Sequence, residues 1–363
     1  MRRSYKIIAL SVMALLLGTC APYYQGPTSA NFNGEVFVNP VEQGGRSFGE
    51  FLKWRFTRDR GPWPEHVEVK AKDLPPASVA GDRLRVSYVG HATVFVQTQG
   101  VNILTDPVWA ETAGPFGVLG ASRVIDPGID FDKLPKIDVV LISHNHYDHL
   151  DLATLKRLHD RDGTLIVAPL GNDAIINRHD PAIRVKTLDW GQKLSVSDAV
   201  TIALEPAQHW SARTPFDRNR ALWGAFVIET KGGNIYYAGD TGYGGGDHYR
   251  TTRSKFGKFR LALLPIGAYA PRWFMSSSHM NPEEAAMAHV DLGAARSLAI
   301  HFATFRQTDE PFDEPVARIK AARASLNIAN NAFRVIDVGA AWEVPALPSG
   351  QAKPPPAKEE AGR

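Results

Sequence analysis

The chain has 363 residues and a single cysteine, Cys20. That excludes an intrachain disulfide and any zinc module built on several thiolates. Long apolar runs are equally scarce. The mostly apolar stretch Ile7 to Leu17 has eleven residues, which rise only about 16 Å as a helix, roughly half a bilayer core. It is too short for a transmembrane span, and no other stretch is longer. Charge of one sign is missing too. Setting aside Arg2, Arg3 and Lys6 leaves 38 basic residues against 38 acidic ones, so there is no electrostatic footprint of a nucleic-acid partner. No internal repeat is visible. With 44% hydrophobic and 22% charged residues, the chain can bury a sizeable core in one large domain or two ordinary ones.

The first residues have the layout of a secretory signal: a basic start, the short apolar run, then small residues. Cys20 closes the run in Leu17-Gly18-Thr19-Cys20, which resembles a bacterial lipoprotein signal with an acylated cysteine. Thr19 departs from the small residues usual at that place. The expectation is a signal over 1–19 and a lipid anchor at Cys20, on a protein of the bacterial cell envelope facing the periplasm. An ordinary cleaved signal with an incidental thiol is the alternative.

Residues 20–82 are rich in Gly, Pro, Asn and aromatic residues without a clean period. They are expected to form a tether that then wraps the domain surface, with Trp54, Phe56 and Trp63 packed. A regular fold is expected over 83–344. Leu84–Tyr88, Thr93–Gln97 and Val101–Leu104 read as a meander, and Ile137–Ile142 as a strand buried on both faces. A helix is predicted from Asp151 to His159. Further strands are predicted at Leu165–Ala168, Thr201–Glu205, Ala225–Glu229, Asn234–Ala238, Leu261–Leu264 and Leu298–His301. Asn281-Pro282-Glu283-Glu284 starts a helix by its cap, its proline and its acid three residues on. Glu314–Leu326 reads as an amphipathic helix, and Phe333–Ile336 and Trp342–Val344 as closing strands. The tail 345–363, rich in Pro, Lys and Glu, has no apolar period and is expected to be disordered. Runs of strands with helices at intervals, in two successive halves, predict an α/β protein: an αββα sandwich of two mixed β-sheets with helices on the outer faces.

The densest chemistry lies in Ser143-His144-Asn145-His146-Tyr147-Asp148-His149, which reads H-x-H-x-D-H. Three imidazoles and a carboxylate directly follow a buried strand, where α/β sheets commonly bind ligands. They cannot all close around one tetrahedral ion without strain, and suit two ions about 3.5–4 Å apart. His144 and His146 can face one, Asp148 and His149 the other. Three further candidates each follow a predicted strand: His209, Asp240 and His301. A bridging carboxylate would be economical. His91 is expected to order a turn, and His66, His159, His179, His248 and His289 to be structural or solvated. Imidazole-rich ligation leans to zinc over iron or manganese.

This order of ligands resembles the metallo-β-lactamase superfamily. Longer segments are similar to the phospholipases D that hydrolyse N-acyl-phosphatidylethanolamine: Val89-Gly90-His91-Ala92-Thr93-Val94, Leu104-Thr105-Asp106-Pro107, Gln208-His209-Trp210, Leu222-Trp223-Gly224, Ala238-Gly239-Asp240-Thr241-Gly242-Tyr243, and Pro265-Ile266-Gly267-Ala268-Tyr269 with Pro271-Arg272-Trp273-Phe274-Met275, His279 and Pro282-Glu283-Glu284-Ala285. The resemblance runs from about Val89 to Phe305. It implies two Zn2+ per chain, one held by His144, His146 and His209, the other by Asp148, His149 and His301, with Asp240 bridging. It further implies a catalytic role for His279 at the substrate phosphate. Ser278 stands where a glutamine is expected.

The resemblance implies cleavage of a phospholipid phosphodiester by a metal-bridging hydroxide, releasing an N-acylethanolamine and leaving phosphatidic acid. Arg272 is expected either to pair with a phosphate or to stack on Trp273. Trp109, Phe116, Trp273, Phe274 and Met275 are expected either to form an acyl groove or to pack the core. The implied partners are a phospholipid substrate and, through the anchor, a membrane surface; a homodimer stays open. The rival readings are another hydrolysis on this scaffold (a lactone, a thioester or a soluble phosphodiester) and a non-catalytic envelope lipoprotein stabilised by zinc.

Overall fold

The computed structural model describes residues 23–39, 46–117 and 119–347. The expected signal, Cys20 and most of the expected tail lie outside the described residues. Among those described, no helix is long and apolar enough to cross a membrane.

In chain order the elements are α1 (Phe48–Thr57), β1 (Leu84–Gly90), β2 (Thr93–Thr98), β3 (Val101–Thr105), β4 (Thr112–Ala113), β5 (Ala121–Ser122), β6 (Val139–Leu141), α2 (Leu152–Asp162), β7 (Leu165–Pro169), α3 (Asn172–His179), β8 (Val185–Leu188), β9 (Lys193–Ser197), β10 (Val200–Glu205), β11 (Ala225–Thr230) and β12 (Asn234–Tyr237). They continue with α4 (Asp247–Phe256), β13 (Phe259–Pro265), α5 (Arg272–Met275), α6 (Pro282–Asp291), β14 (Ser297–Ile300), α7 (Glu314–Ser325), β15 (Phe333–Arg334) and β16 (Ala341–Glu343).

Two seven-stranded sheets result, ordered β16-β1-β2-β3-β6-β7-β8 and β15-β14-β13-β12-β11-β10-β9. Both are mixed, as expected. From β16 to β8 the pairings run antiparallel through β3 and parallel thereafter. From β9 to β15 they run antiparallel through β12 and parallel thereafter. The halves therefore repeat one another in topology, though no repeat shows in the sequence. In this correspondence β1 matches β10, β3 matches β12 and β6 matches β13.

Strand alternation divides the core. Leu84, Val86, Tyr88, Val139 and Leu141 face inward onto Ile202, Leu204, Phe226 and Leu263 of the other sheet. Phe95, Leu104, Val140 and Ile142 face outward beneath Leu155 and Leu158 of α2 and Ile175 and Ile176 of α3. Each fully buried leucine of this kind contributes about 2 kcal/mol. The α2 helix starts where Asp151 accepts from the backbone N–H groups of Ala153 and Thr154, and ends at Gly163 in the left-handed region. Asn281 and Glu284 form the reciprocal capping box expected for α6.

The segment before β1 does more than wrap a surface. Phe32 and Phe37 are buried in the main core, with Tyr24 packed against them. The α1 helix, β8, β9, α3 and α4 are present beyond the elements expected from the sequence. The α1 helix is capped locally by Ser47 and Glu50 and tied down by tertiary partners: Trp54 donates to Asp309 at 2.8 Å, and Arg58, just beyond it, pairs with the same carboxylate at 2.7 Å.

Candidate metal centre

The ligand candidates meet at one edge of the sandwich, in the loops that follow strands. His144, His146, Asp148 and His149 follow β6, His209 follows β10, Asp240 follows β12 and His301 follows β14. Among the described residues, eight non-glycine residues have positive φ, and five of them belong to this edge: His91, Asp106, Ala268, His301 and Ala303. Such conformations cost of order 1 kcal/mol each and persist where surrounding structure imposes them. The loops also approach closely. Gly239 has φ +58°, and a β-carbon there would lie 2.5 Å from that of Ser143. Only glycine fits beside Asp240.

His144 Nε2 lies 2.8 Å from His146 Nδ1, and His209 Nε2 lies 3.3 Å from the same atom. On the other side His149 Nε2 lies 3.1 Å from His301 Nε2 and 3.2 Å from Asp148 Oδ2. Asp240 stands between the groups. Its Oδ1 is 3.0 Å from His301 Nε2, while its Oδ2 is 3.3 Å from His149 Nε2 and 3.9 Å from His209 Nε2. The structure brings together all seven residues picked out as ligands.

Tautomers decide what can occupy these gaps. His149 Nδ1 donates to Asp106 at 2.6 Å, and His209 Nδ1 donates to the Ser278 carbonyl at 2.9 Å. His144 Nδ1 lies 2.9 Å from Ser143 Oγ, whose own proton goes to Asp106. In the neutral form of each ring, Nε2 is left as a lone pair aimed inward. Lone pairs cannot hydrogen-bond one another, and a cation between them removes the conflict. Donors bound at 2.0–2.1 Å around a tetrahedral ion sit roughly 3.3 Å apart, close to the spacings seen. Asp240 Oδ1 and His279 Nδ1 are buried without a hydrogen bond, as expected where polar atoms await another partner. The donor set fits divalent metal.

The electrostatics divide the same way. Burial, reinforced by neighbouring imidazoles, holds His144 well below the ordinary histidine range. Burial likewise pushes His146 down to about 3 and lowers His209 strongly. These three stay neutral, the form that binds metal. Burial also opposes charge on His149 and His301, but Asp240 and Asp148 outweigh it. They hold His149 well above its ordinary value and His301 at about 9.

The contacts of the remaining candidates are equally definite. Arg272 does not stack on Trp273. Its guanidinium is bidentate to Glu284 at 2.8 and 2.7 Å and donates to the His279 carbonyl at 2.9 Å. Lys53 of α1 covers Trp273 instead, and Trp54 stacks on Phe274 at 5.0 Å. Met275 is buried. Trp109 donates to Ile129 O and packs edge-on to Phe131, within the outer core. The side chain of Phe116 is not among those described. His279 faces the centre, its Nδ1 3.7 Å from Asp240 Oδ2.

Sequence reasoning missed three supports. Asp106, taken as the end of the meander, is fully buried and also accepts from Ser143 N and the Tyr237 hydroxyl. Its position directly after β3 was the available signal. Asn39 donates to His209 O at 2.8 Å and accepts from His209 N at 3.2 Å; no local pattern marks it. His91, read as a turn residue, lies with Asp148, His149 and His301 in one cluster of candidate donor atoms.

With this geometry in place, likeness to known proteins is informative. The Beta-lactamase superfamily domain matches residues 101–302. A Caenorhabditis elegans N-acyl-phosphatidylethanolamine-hydrolyzing phospholipase D 1 is 32% identical over 332 residues, covering 86% of this chain and 93% of that one. The chain belongs to the metallo-β-lactamase superfamily and, within it, to the N-acyl-phosphatidylethanolamine-hydrolysing phospholipase D family. Its cluster of candidate metal donors lies within the residues that match this domain, but for His91. An uncharacterized Mycobacterium tuberculosis protein is 39% identical over 250 residues, 66% of this chain; the match spans 64% of that relative's length. Among solved structures, a possible metal-dependent hydrolase from Veillonella parvula superposes with TM-score 0.59 at 16% identity, covering 72% of this chain and 99% of that one. At that identity the likeness speaks for the metallo-β-lactamase fold alone.

Proposed function

We propose that this member of the family hydrolyses N-acyl-phosphatidylethanolamine to an N-acylethanolamine and phosphatidic acid, as a phospholipase D acting with two zinc ions. The observation that carries the reading is the place of Asp240, within 3.9 Å of ligand nitrogens on both sides. One ion would be held by His144, His146 and His209, the other by Asp148, His149 and His301, with Asp240 reaching both. Bound there, divalent zinc supplies Lewis acidity and a lowered pKa for water at neutral pH.

The chain's own residues supply orientation and proton handling. Asp106, Ser143 and the Ser278 carbonyl fix the Nδ1 protons of His149, His144 and His209, so the inward nitrogens keep their lone pairs. Ser278 acts through its backbone, which makes the missing glutamine side chain irrelevant to that task. In the reaction an oxygen from water bonds to phosphorus while the bond from phosphorus to the ethanolamine oxygen breaks. The attacking water gives up a proton and the departing oxygen gains one; burial holds His279 down at about 4, so its neutral ring, with Nδ1 unpartnered, is placed to pass that proton on rather than to supply one of its own. Arg272 holds His279 in place through its carbonyl and does not bind phosphate. Trp273, 41% exposed, stands at the rim beside α1, where an acyl chain can lie against it. A lipid anchor at Cys20 would keep the protein at a membrane of the envelope and raise the local concentration of lipid.

The deciding experiment incubates zinc-loaded protein with a lipid extract and with N-acyl-phosphatidylethanolamine vesicles, and identifies products by mass spectrometry. N-acylethanolamine together with phosphatidic acid is expected. Turnover of a lactone or thioester with none of the phosphodiester would overturn the reading, as would an inert protein carrying its full metal load. Elemental analysis showing iron or manganese in place of zinc, or one ion per chain, would correct the metal assignment alone.

A further inference from the structure

His91 was read as a turn residue, yet it sits at the centre of the ligand loops. It directly follows β1, the strand that corresponds in the first sheet to β10 in the second. The loop after β10 carries His209, so the two halves each send one histidine to the same edge. The correspondence extends to Asp106 after β3 and Asp240 after β12. In both pairs the second half supplies a ligand candidate to the centre. Asp106 is the orienting partner of one.

Distances assign His91 to the orienting kind. Asp148, His149, His301 and Asp240 lie 3.0–3.5 Å apart in the pairs that define their cluster, the edge lengths of donors around one ion. His91 Nε2 instead lies 2.8 Å from Asp148 Oδ2, an ordinary hydrogen-bond length, and among the described residues it pairs with no other carboxylate, whereas His149 and His301 both also approach Asp240. Among the described residues, its ring nitrogens make no other hydrogen bond, and Nδ1 is buried without a partner. A hydrogen bond to a carboxylate places the ring proton on Nε2, which donates to Asp148. The backbone adds a second tie: His301 N–H donates to His91 O at 2.7 Å, and His91 N–H donates to Thr304 Oγ1 at 2.9 Å. The His91 ring lies 4.0 Å from that of His301.

We propose that His91 is a positioning residue: its Nε2–H holds the Asp148 carboxylate in place for the metal shared with His149 and His301, without itself binding that metal. The proposal rests on the two-metal reading above and concerns one of the two ions. An orienting partner of this kind is worth about 10–100-fold in metal affinity. The other ion, held by His144, His146 and His209, does not depend on it.

The test titrates metal-free protein with zinc against a chromophoric chelator and resolves two affinities. His91→Leu is expected to weaken one of them about 10–100-fold and leave the other unchanged. His91→Gln, whose amide can still donate to Asp148, should recover most of the loss. Should the leucine variant fail to fold, as judged by circular dichroism, His91→Phe fills the ring volume without the donor and takes its place. Unchanged affinity in the donor-less variant overturns the proposal. So does a glutamine variant as weak as leucine, or equal weakening of both ions, since either result would mean lost packing. Asp148→Ala separates the two layers of argument. If it also leaves both affinities intact, the metal assignment itself fails; if it abolishes one while His91→Leu changes nothing, only the role of His91 is lost.

Discussion

Asp106 Oδ2 accepts the Nδ1 proton of His149 at 2.6 Å, across 43 residues of sequence, with both side chains fully buried. The same carboxylate takes the Ser143 hydroxyl at 2.5 Å, and Ser143 in turn meets His144 Nδ1. One buried acid therefore sets the tautomer of a histidine on each side of the centre. Asp106→Asn keeps the shape but presents an amide donor where a donor already points. Metal affinity is expected to fall about 10–100-fold, with both ions affected. Calorimetric zinc titration checks this; loss of a single ion would contradict the shared role.

Metal binding should release protons. In the metal-free protein His301 is held up at about 9 and His149 well above its ordinary value, so both carry protons at neutral pH. A metal needs them neutral. Affinity should therefore rise with pH until it passes about 9, then level off. Zinc titrations in buffers of different ionisation enthalpy should show net proton release near pH 7. A pH-independent affinity from 6 to 9 would refute the sign argued here.

Arg272→Ala removes the donor to the His279 carbonyl and the partner of Glu284. Because Glu284 also closes the α6 capping box, a stability loss of about 1 kcal/mol is expected. In steady-state kinetics kcat should fall while KM changes little, since His279 loses its orientation rather than the substrate its binding. A raised KM at unchanged kcat would instead place the guanidinium at the phosphate.

Phe37 is fully buried, and Phe37 N–H donates to Asn219 O at 2.8 Å. Phe37→Ala should destabilise the protein by about 3–5 kcal/mol, measured by urea unfolding. A loss under 1 kcal/mol would mean that this N-terminal segment only covers the surface. Asn39, two residues on, touches the His209 backbone, so the same variant should also lower metal affinity.

Much of the sandwich was legible because strands buried on alternate faces repeat every second residue. Val139 to Ile142 shows it: Val139 and Leu141 face one core, Val140 and Ile142 the other. The α6 start was legible for a local reason, since Asn281, Pro282 and Glu284 satisfy the helix end among themselves. The α1 start carries the same local box, Ser47 with Glu50, but the helix is also held by Asp309, some 250 residues away, through Trp54 and Arg58. Those distant partners cannot be read from its own residues. Phe32 and Phe37 likewise look like any loop aromatics until the core that receives them is assembled.

The chemistry of the centre can be read along the chain: three imidazoles and a carboxylate in six residues suit a cation, and His209, Asp240 and His301 announce themselves by following strands. So can the alternation that makes two sheets. Which groups act on one another depends on the folded arrangement. Asp106, His91 and Asn39 owe their roles to loops that close over separations of 43, 57 and 170 residues. Arg272 is engaged by Glu284, the acid that closes the α6 capping box. A ligand type is a property of a side chain and can be read from a letter. Orientation belongs to a hydrogen bond between distant letters, and it exists only once the fold has brought them together.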